Sequence, residues 1–181
     1  MITLVTGNRE KQKEIEAIMG IPLEVESIDL KEIQSMNLEE VVNAKAAEAY
    51  AQLKRPLIVE DVSFEVEALH GFPGPLVKWW ENVVGYEAML EFVRGKCLAV
   101  RAVAMAAYID DTQMIVATGE MRGTLAPRDG DDGFGFDFYF IPEGYDKTVA
   151  RLGRDVKNQI SHRAQCFRQL AEKLTNLHVA L

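Results

Sequence analysis

Lys157, Ser161, His162 and Arg163 stand within the seven residues "KNQISHR" of a chain that is otherwise acidic. Lys157 and Ser161 are one helical turn apart, and His162 and Arg163 follow where a helix would begin, so several donors project from one helix end. That array suits an anion or a hydrogen-bond acceptor; a solvated basic helix end is the plainer alternative. Glu60 and Asp61, in "VEDV", come directly after an apolar run. Active sites of α/β folds gather at the carboxyl ends of buried strands, and hard cations such as Mg²⁺ want carboxylate oxygens. Against this, a pair of solvated acids at a strand end has the same pattern. "TGNREK" ends a strand in Gly7 and Asn8 and hands over to a helix carrying Lys11. Free amides at a helix start and the macrodipole attract phosphate, and the lysine adds a full charge. The spacing is neither a Walker loop nor a dinucleotide fingerprint. Phe134 and Phe136, in "GFGFD", sit beside Asp137 in a glycine-rich loop, where a phenyl face can stack on a nucleobase or plug the loop onto the core.

Ile2 to Val5 is a short buried strand. A helix follows from Arg9, with Ile15, Ile18 and Met19 on one side and Gly20 as its stop. Leu23, Val25 and Ser27 alternate as a second strand. Asn37 precedes a helical stripe of Leu38, Val41, Val42, Lys45, Ala46, Ala49 and Leu53. Leu57 to Val59 is a strand, and Phe64, Val66 and Ala68 alternate beyond the acids. "HGFPGP" reads as a loop, Glu87 to Val93 as a short helix, and the runs 98–109 and 114–119 as a hairpin across "DDTQ". "PRDGDDGFGFD" is a loop, "FYFIP" a strand, and Ser161 to Leu174 a closing helix. Helices mixed with strands define an α/β protein.

Composition bounds the function. A chain of 181 residues with 48% hydrophobic and 27% charged content forms one domain over residues 1–181 with a real core. The net charge of −8 argues against nucleic-acid or membrane-surface binding. Any small anionic ligand must therefore meet a local basic cluster, with a metal. Cys97 and Cys166 make neither a metal spacing nor a disulfide framework, and the start "MITLVTGNRE" is no signal peptide, which points to the cytoplasm.

Taken together, "TGN" with Lys11 and Glu14, "VED", "ALHGFPGPLVKWW", "FGFD", "IPEGYDKT" and "SHRAQ" resemble the inosine triphosphate pyrophosphatase family in order and spacing over residues 3–170. The resemblance implies a long central mixed sheet with flanking helices, two lobes around a nucleotide cleft, and a homodimer. It implies Mg²⁺-dependent hydrolysis, with Mn²⁺ as an alternative metal, of ITP, dITP and XTP to the monophosphate and pyrophosphate. Carried over by position, Thr6, Gly7, Asn8, Arg9, Glu10 and Lys11 match the phosphate loop, with Glu14 on its helix. Glu32 and Asp61 match the metal-binding acids, and Lys45 and Lys78 match lysines near the phosphates. Phe134, Gly135, Phe136 and Asp137 match the base-binding segment; Lys157, Ser161, His162 and Arg163 match the terminal donors around base and phosphates. Asp61 is the expected general base, with Glu60 the alternative, and Lys11 neutralises phosphate charge. The chain departs from the family pattern at Val62, which lacks a hydroxyl, at Phe138, and at Arg151, where an acid is usual. These departures motivate a second reading, a nucleotide-binding module without catalysis. A Maf-like pyrophosphatase for other nucleotides is a third, disfavoured by "SHR" and "FGFD".

Overall fold

The computed structural model describes residues 2–179. Along the chain run β1 (Thr3–Val5), α1 (Arg9–Met19), β2 (Glu24–Glu26), α2 (Leu38–Leu53), β3 (Leu57–Val66), β4 (Pro73–Gly74), α3 (Val77–Val83) and α4 (Tyr86–Phe92). They continue as β5 (Ala99–Ile109), β6 (Met114–Leu125), β7 (Phe140–Pro142), α5 (Val149–Leu152), α6 (Arg154–Ile160) and α7 (His162–Asn176). Short 3₁₀ turns cover Glu67–Leu69 and Gly135–Phe138. The strands form one mixed sheet in the order β2-β1-β3-β5-β6-β7, with β4 also on β3. β1 pairs parallel with β2 and β3, and the remaining pairings are antiparallel.

Strand alternation divides the core in two. Ile58, Val62, Phe64 and Val66 on β3 face one layer, which includes Ile15 of α1 and Phe167, Leu170 and Leu174 of α7. Leu57 and Val59 face the other layer, with Val42, Ala46 and Ala49 of α2. α7 lies close on β6 because Gly119 has no side chain. A Cβ there would stand 2.3 Å from the His162 carbonyl oxygen and 2.5 Å from the Cys166 nitrogen.

The closing-helix segment differs from its sequence reading. Lys157 and Ser161 do not share a helix: Lys157 belongs to the seven-residue α6, and Ser161, extended at φ −65° and ψ 157°, breaks the chain and caps α7. The third strand also runs unbroken through both acids to Val66, where the sequence reading ended it before them. α3 and α5 lie in stretches that showed no usable periodicity, and the second hairpin strand extends to Leu125.

Candidate active site

A cleft of about 800 Å³ opens where β1 ends, walled by the loop Thr6–Asn8, the start of α1, the irregular segment 27–35, α2, the middle of β3 and the start of α3. Thr6, Gly7, Asn8, Arg9, Glu10, Lys11, Glu32, Lys45, Glu60, Asp61 and Lys78 all line it. Gly7 lets segment 27–35 lie against the loop, since a Cβ there would meet Ser27 Oγ at 3.1 Å. Asn8 caps α1, its Oδ1 accepting from the Glu10 and Lys11 amides at 3.0 and 3.1 Å. Those amides are engaged in the cap, so the attraction for anions rests on the helix dipole, Arg9, Lys11 and the other loop amides.

Glu60 and Asp61 are adjacent in sequence, and the pleat sends them to opposite faces of the sheet. Asp61 turns toward α2: Lys45 Nζ lies 3.1 Å from Asp61 Oδ2 and 3.6 Å from Glu32 Oε1. Burial would lower the Lys45 ammonium, and Asp61 and Glu32 more than reverse this, so it is held above its ordinary value. Two carboxylates thus converge on one cation, one from β3 and one from the segment before α2. This donor set fits Mg²⁺, which is ordinarily bound through one or two carboxylates with substrate phosphates and water completing the shell. Among the described residues no cluster of three or more metal-type side chains exists, so a metal here would need the substrate's oxygens.

Glu60 turns the other way, into a buried chain of charges. Lys11 Nζ donates to Glu60 Oε2 at 2.7 Å, and Arg163 Nη2 reaches Glu60 Oε1 at 2.9 Å. Arg163 Nη1 also donates to Glu14 Oε2 at 2.5 Å. Lys157 Nζ continues the chain, 3.1 Å from Glu14 Oε1 and 2.6 Å from Asp137 Oδ2. Three cations and three carboxylates alternate from the cleft floor to the Phe134 loop. Burial pushes the Glu60 carboxyl up, but Arg163 and Lys11 outweigh it and hold the group at about 2. Burial is the larger influence at Asp137, whose carboxyl lies above its ordinary value despite Lys157.

Glu14, Val62, Phe134, Gly135, Phe136, Asp137, Lys157, Ser161, His162 and Arg163 do not line the cleft; the ion chain reaches it through Arg163 on Glu60. Phe134 is half-buried, with Lys157 Nζ 4.0 Å and Arg163 Cζ 5.6 Å from its ring centre. Phe136 takes the plugging role, stacked on Phe64 at 4.4 Å inside the core. Gly135, at φ 61°, makes the turn between these two rings. Ser161 Oγ accepts from the Ala164 amide at 3.1 Å, so the hydroxyl is a helix cap. His162 is buried with neither ring nitrogen bonded, and burial, reinforced by Arg163 and Lys157, keeps it neutral.

Val62 is a core residue, and its amide donates to Asp61 Oδ1 at 2.9 Å. Phe138 lies under Arg128, at 4.4 Å from ring centre to guanidinium carbon. Arg151 pairs on the surface with Asp129 at 2.6 Å. None of the three departures interrupts the charges at the cleft. Trp80 packs within the chain on Phe72 and Phe92 and donates to the Gly85 carbonyl at 2.9 Å, leaving Trp79 exposed at the cleft mouth. The sequence reading missed Trp79 as a cleft residue, together with Ser27, Asp29 and Ser35; segment 27–35 carries no periodicity to mark it.

The family model described as the Ham1 family matches residues 2–173. The chain belongs to the Ham1 family. A dITP/XTP pyrophosphatase of Ignicoccus hospitalis is 39% identical over 183 residues, covering 96% of each chain. An inosine triphosphate pyrophosphatase of Yarrowia lipolytica is 34% identical over 175 residues, covering 93% of each. Among solved structures, the Ham1 protein of Staphylococcus aureus superposes with a TM-score of 0.84 at 25% identity, over 98% of this chain and 100% of that one. Membership in the Ham1 family accounts for the order of the sequence motifs and for the α/β sheet that gathers them.

Proposed function

We propose that this Ham1-family protein hydrolyses deaminated purine nucleoside triphosphates, ITP, dITP and XTP, to the monophosphate and pyrophosphate. The observation that carries this reading is the convergence of the Thr6–Lys11 loop, the Glu32–Lys45–Asp61 cluster and Lys78 on one cleft. The named activities of the Ignicoccus hospitalis and Yarrowia lipolytica relatives support it. Glu32 and Asp61 are the residues that would hold Mg²⁺, or Mn²⁺ in its place. When bound, the metal supplies charge neutralisation at the transferring phosphate.

The chain's own residues do the rest. Arg9, Lys11 and Lys78 meet the triphosphate at the cleft wall, and Lys45 keeps the two acids from repelling each other. Water attacks the α-phosphorus, the α–β anhydride bond breaks, and pyrophosphate leaves. Asp61 is the base that takes the water's proton: its carboxylate is partly exposed in the cleft. Glu60 is a poor alternative, because a carboxylate held at about 2 between Lys11 and Arg163 has little tendency to accept a proton.

For the base, the structure supports a different division of labour from the one the sequence implied. Arg163 has Nε, Nη1 and Nη2 on Glu60 and Glu14, so it orients the charge chain. His162, whose ring nitrogens are unbonded, is the donor we assign to the C6 oxygen of a deaminated purine, with Phe134 as the stacking face; both lie outside the cleft lining, so the base would have to enter beside the Phe134 loop. ATP presents an amino donor at that position, and an unmatched buried donor costs about 1 to 3 kcal/mol. We therefore expect kcat/KM for ITP or XTP to exceed that for ATP by ~10 to 10⁴-fold, depending on whether one or two such mismatches arise. Pyrophosphate release measured across a triphosphate panel checks this. Equal kcat/KM for ATP and ITP refutes base reading, and ITP binding without turnover supports the non-catalytic module.

The proposal includes a homodimer, acting on the cytoplasmic nucleotide pool. Val83 and Phe92, 79% and 60% exposed on α3 and α4, and Phe72 and Val84 are exposed apolar side chains that association would cover. Light scattering is expected to give twice the 20.3 kDa chain mass; a single chain mass at working concentration refutes the dimer. Both cysteines are free thiols, in keeping with a reducing compartment. Among the described residues no helix is long and apolar enough to cross a membrane.

A further inference from the structure

The loop that delivers Phe134 has little core to hold it. Residues 127–133 are "PRDGDDG", polar apart from the proline and glycines. Gly130, at φ +86°, lies so close to α5 that a Cβ would stand 2.4 Å from the Arg151 nitrogen. Its fastening is polar and runs mainly through two aspartates. The Thr148 hydroxyl donates to the Asp129 carbonyl at 2.8 Å, and Arg151 pairs with the Asp129 carboxylate. Three residues on, Arg154 Nε donates to Asp132 Oδ1 at 2.6 Å, and the Arg154 amide donates to Asp132 Oδ2 at 3.3 Å.

Arg154 does more than hold the loop. Its Nη1 reaches across to Glu10 Oε2 at 3.0 Å, in the first turn of α1 and on the cleft wall. One guanidinium thus touches both the loop that carries Phe134 and the helix that begins the phosphate site. It also opens α6, one turn before Lys157, whose ammonium lies over the Phe134 ring. Lys157 joins the same three parts from the buried side, through Glu14 on α1 and Asp137 beyond the loop.

We infer that Arg154 is a positioning residue that ties the Phe134 loop to the first turn of α1, so that the base-stacking and phosphate-binding walls keep a fixed separation. Its consequence for catalysis rests on the proposed nucleotide site; the tie itself does not. The planar guanidinium presents Nε to Asp132 and Nη1, at ion-pair distance, to Glu10 from separate edges, a spread that the single ammonium of a shorter lysine would not reproduce at this position. The ions are half-exposed, so the tie adds little to global stability and acts on local opening.

Amide hydrogen exchange on the ligand-free protein and steady-state kinetics test this together. In Arg154→Ala, exchange is expected to quicken by ~3- to 10-fold both at the loop amides, including Phe134 bonded to Asp137, and at the Glu10 and Lys11 amides bonded to Asn8. The thermal midpoint should stay near wild type. KM for ITP is expected to rise by a similar factor while kcat changes less than about 2-fold, since the reacting groups are untouched. Arg154→Lys should restore one of the two segments and not both. Unchanged exchange at the first turn of α1 overturns the tie. Quicker exchange with an unchanged KM overturns the positioning role. Wild-type protein without ITP turnover defeats the proposed function, and the exchange data then decide the tie on their own.

Discussion

Asp61→Asn is expected to fold normally and to lower ITP turnover by at least ~10²-fold, because one substitution removes the carboxylate proposed both to hold the metal and to act as general base. The fold should survive for local reasons. Asparagine keeps an oxygen for the Val62 amide, and Lys45, though it loses its 3.1 Å partner, still has Glu32 at 3.6 Å. The two roles separate on titration with Mg²⁺. Lost ligation alone should be partly recovered at high metal concentration, whereas a lost base should leave the plateau rate low. Turnover near wild type at ordinary Mg²⁺ would remove Asp61 from both roles. Glu60→Gln is the informative contrast, since its first consequence falls on the buried ion chain rather than on the water.

That contrast shows how far the sequence could be read. "VED" marked both acids, and the family resemblance put Asp61 first as metal ligand and base with Glu60 as the alternative base, without a geometric reason. The geometric reason is the strand continuing through them: β3 does not stop at Val59, so its alternation gives Asp61 to Lys45 and Glu60 to Arg163. The sequence reading ended the strand there because two charges in a buried strand break the apolar pattern; they are tolerated because each meets a cation from another element. Elements with internal periodicity and clear caps, α1 with Gly20 and α2 with Asn37, were legible to within a residue or two. The short helices α3, α5 and α6 were not. Seven residues or fewer hold barely two turns of pattern, and their position depends on packing: α3 on β3 and β4, α5 on the 135–138 turn, and α6 on α1, α5 and α7. The terminal cluster was legible as a set of residues and not as a set of roles. "SHR" yields a helix cap, a buried neutral imidazole and a core guanidinium, and only the partners of Ser161, His162 and Arg163 distinguish these.

Arg163→Ala is expected to show its main effect on stability, before any effect on base choice. The guanidinium is 3% exposed and stands between Glu14 and Glu60, themselves 6% and 3% exposed. Its loss leaves two buried carboxylates with one lysine each, and breaking a buried pair of this kind costs ~3 to 5 kcal/mol. The pH dependence carries the sign. In the wild type Glu60 is held at about 2, below its ordinary value of 4.5, so the stability it contributes is present above 4.5 and lost as pH falls toward 2. Without Arg163 the largest of the influences that hold the Glu60 carboxyl down is gone, and the group moves up. The variant then binds a proton at a pH where the wild type stays ionised. The stability gap should therefore be widest near neutral pH and narrow as the solution is acidified through 4.5 toward about 2, where wild-type Glu60 gives up its contribution. Denaturant melts of both proteins across that range measure the gap. A constant gap would show that Arg163 contributes packing rather than charge. A stable variant at neutral pH that had lost only the preference for ITP over ATP would return Arg163 to base reading and leave His162 without that role.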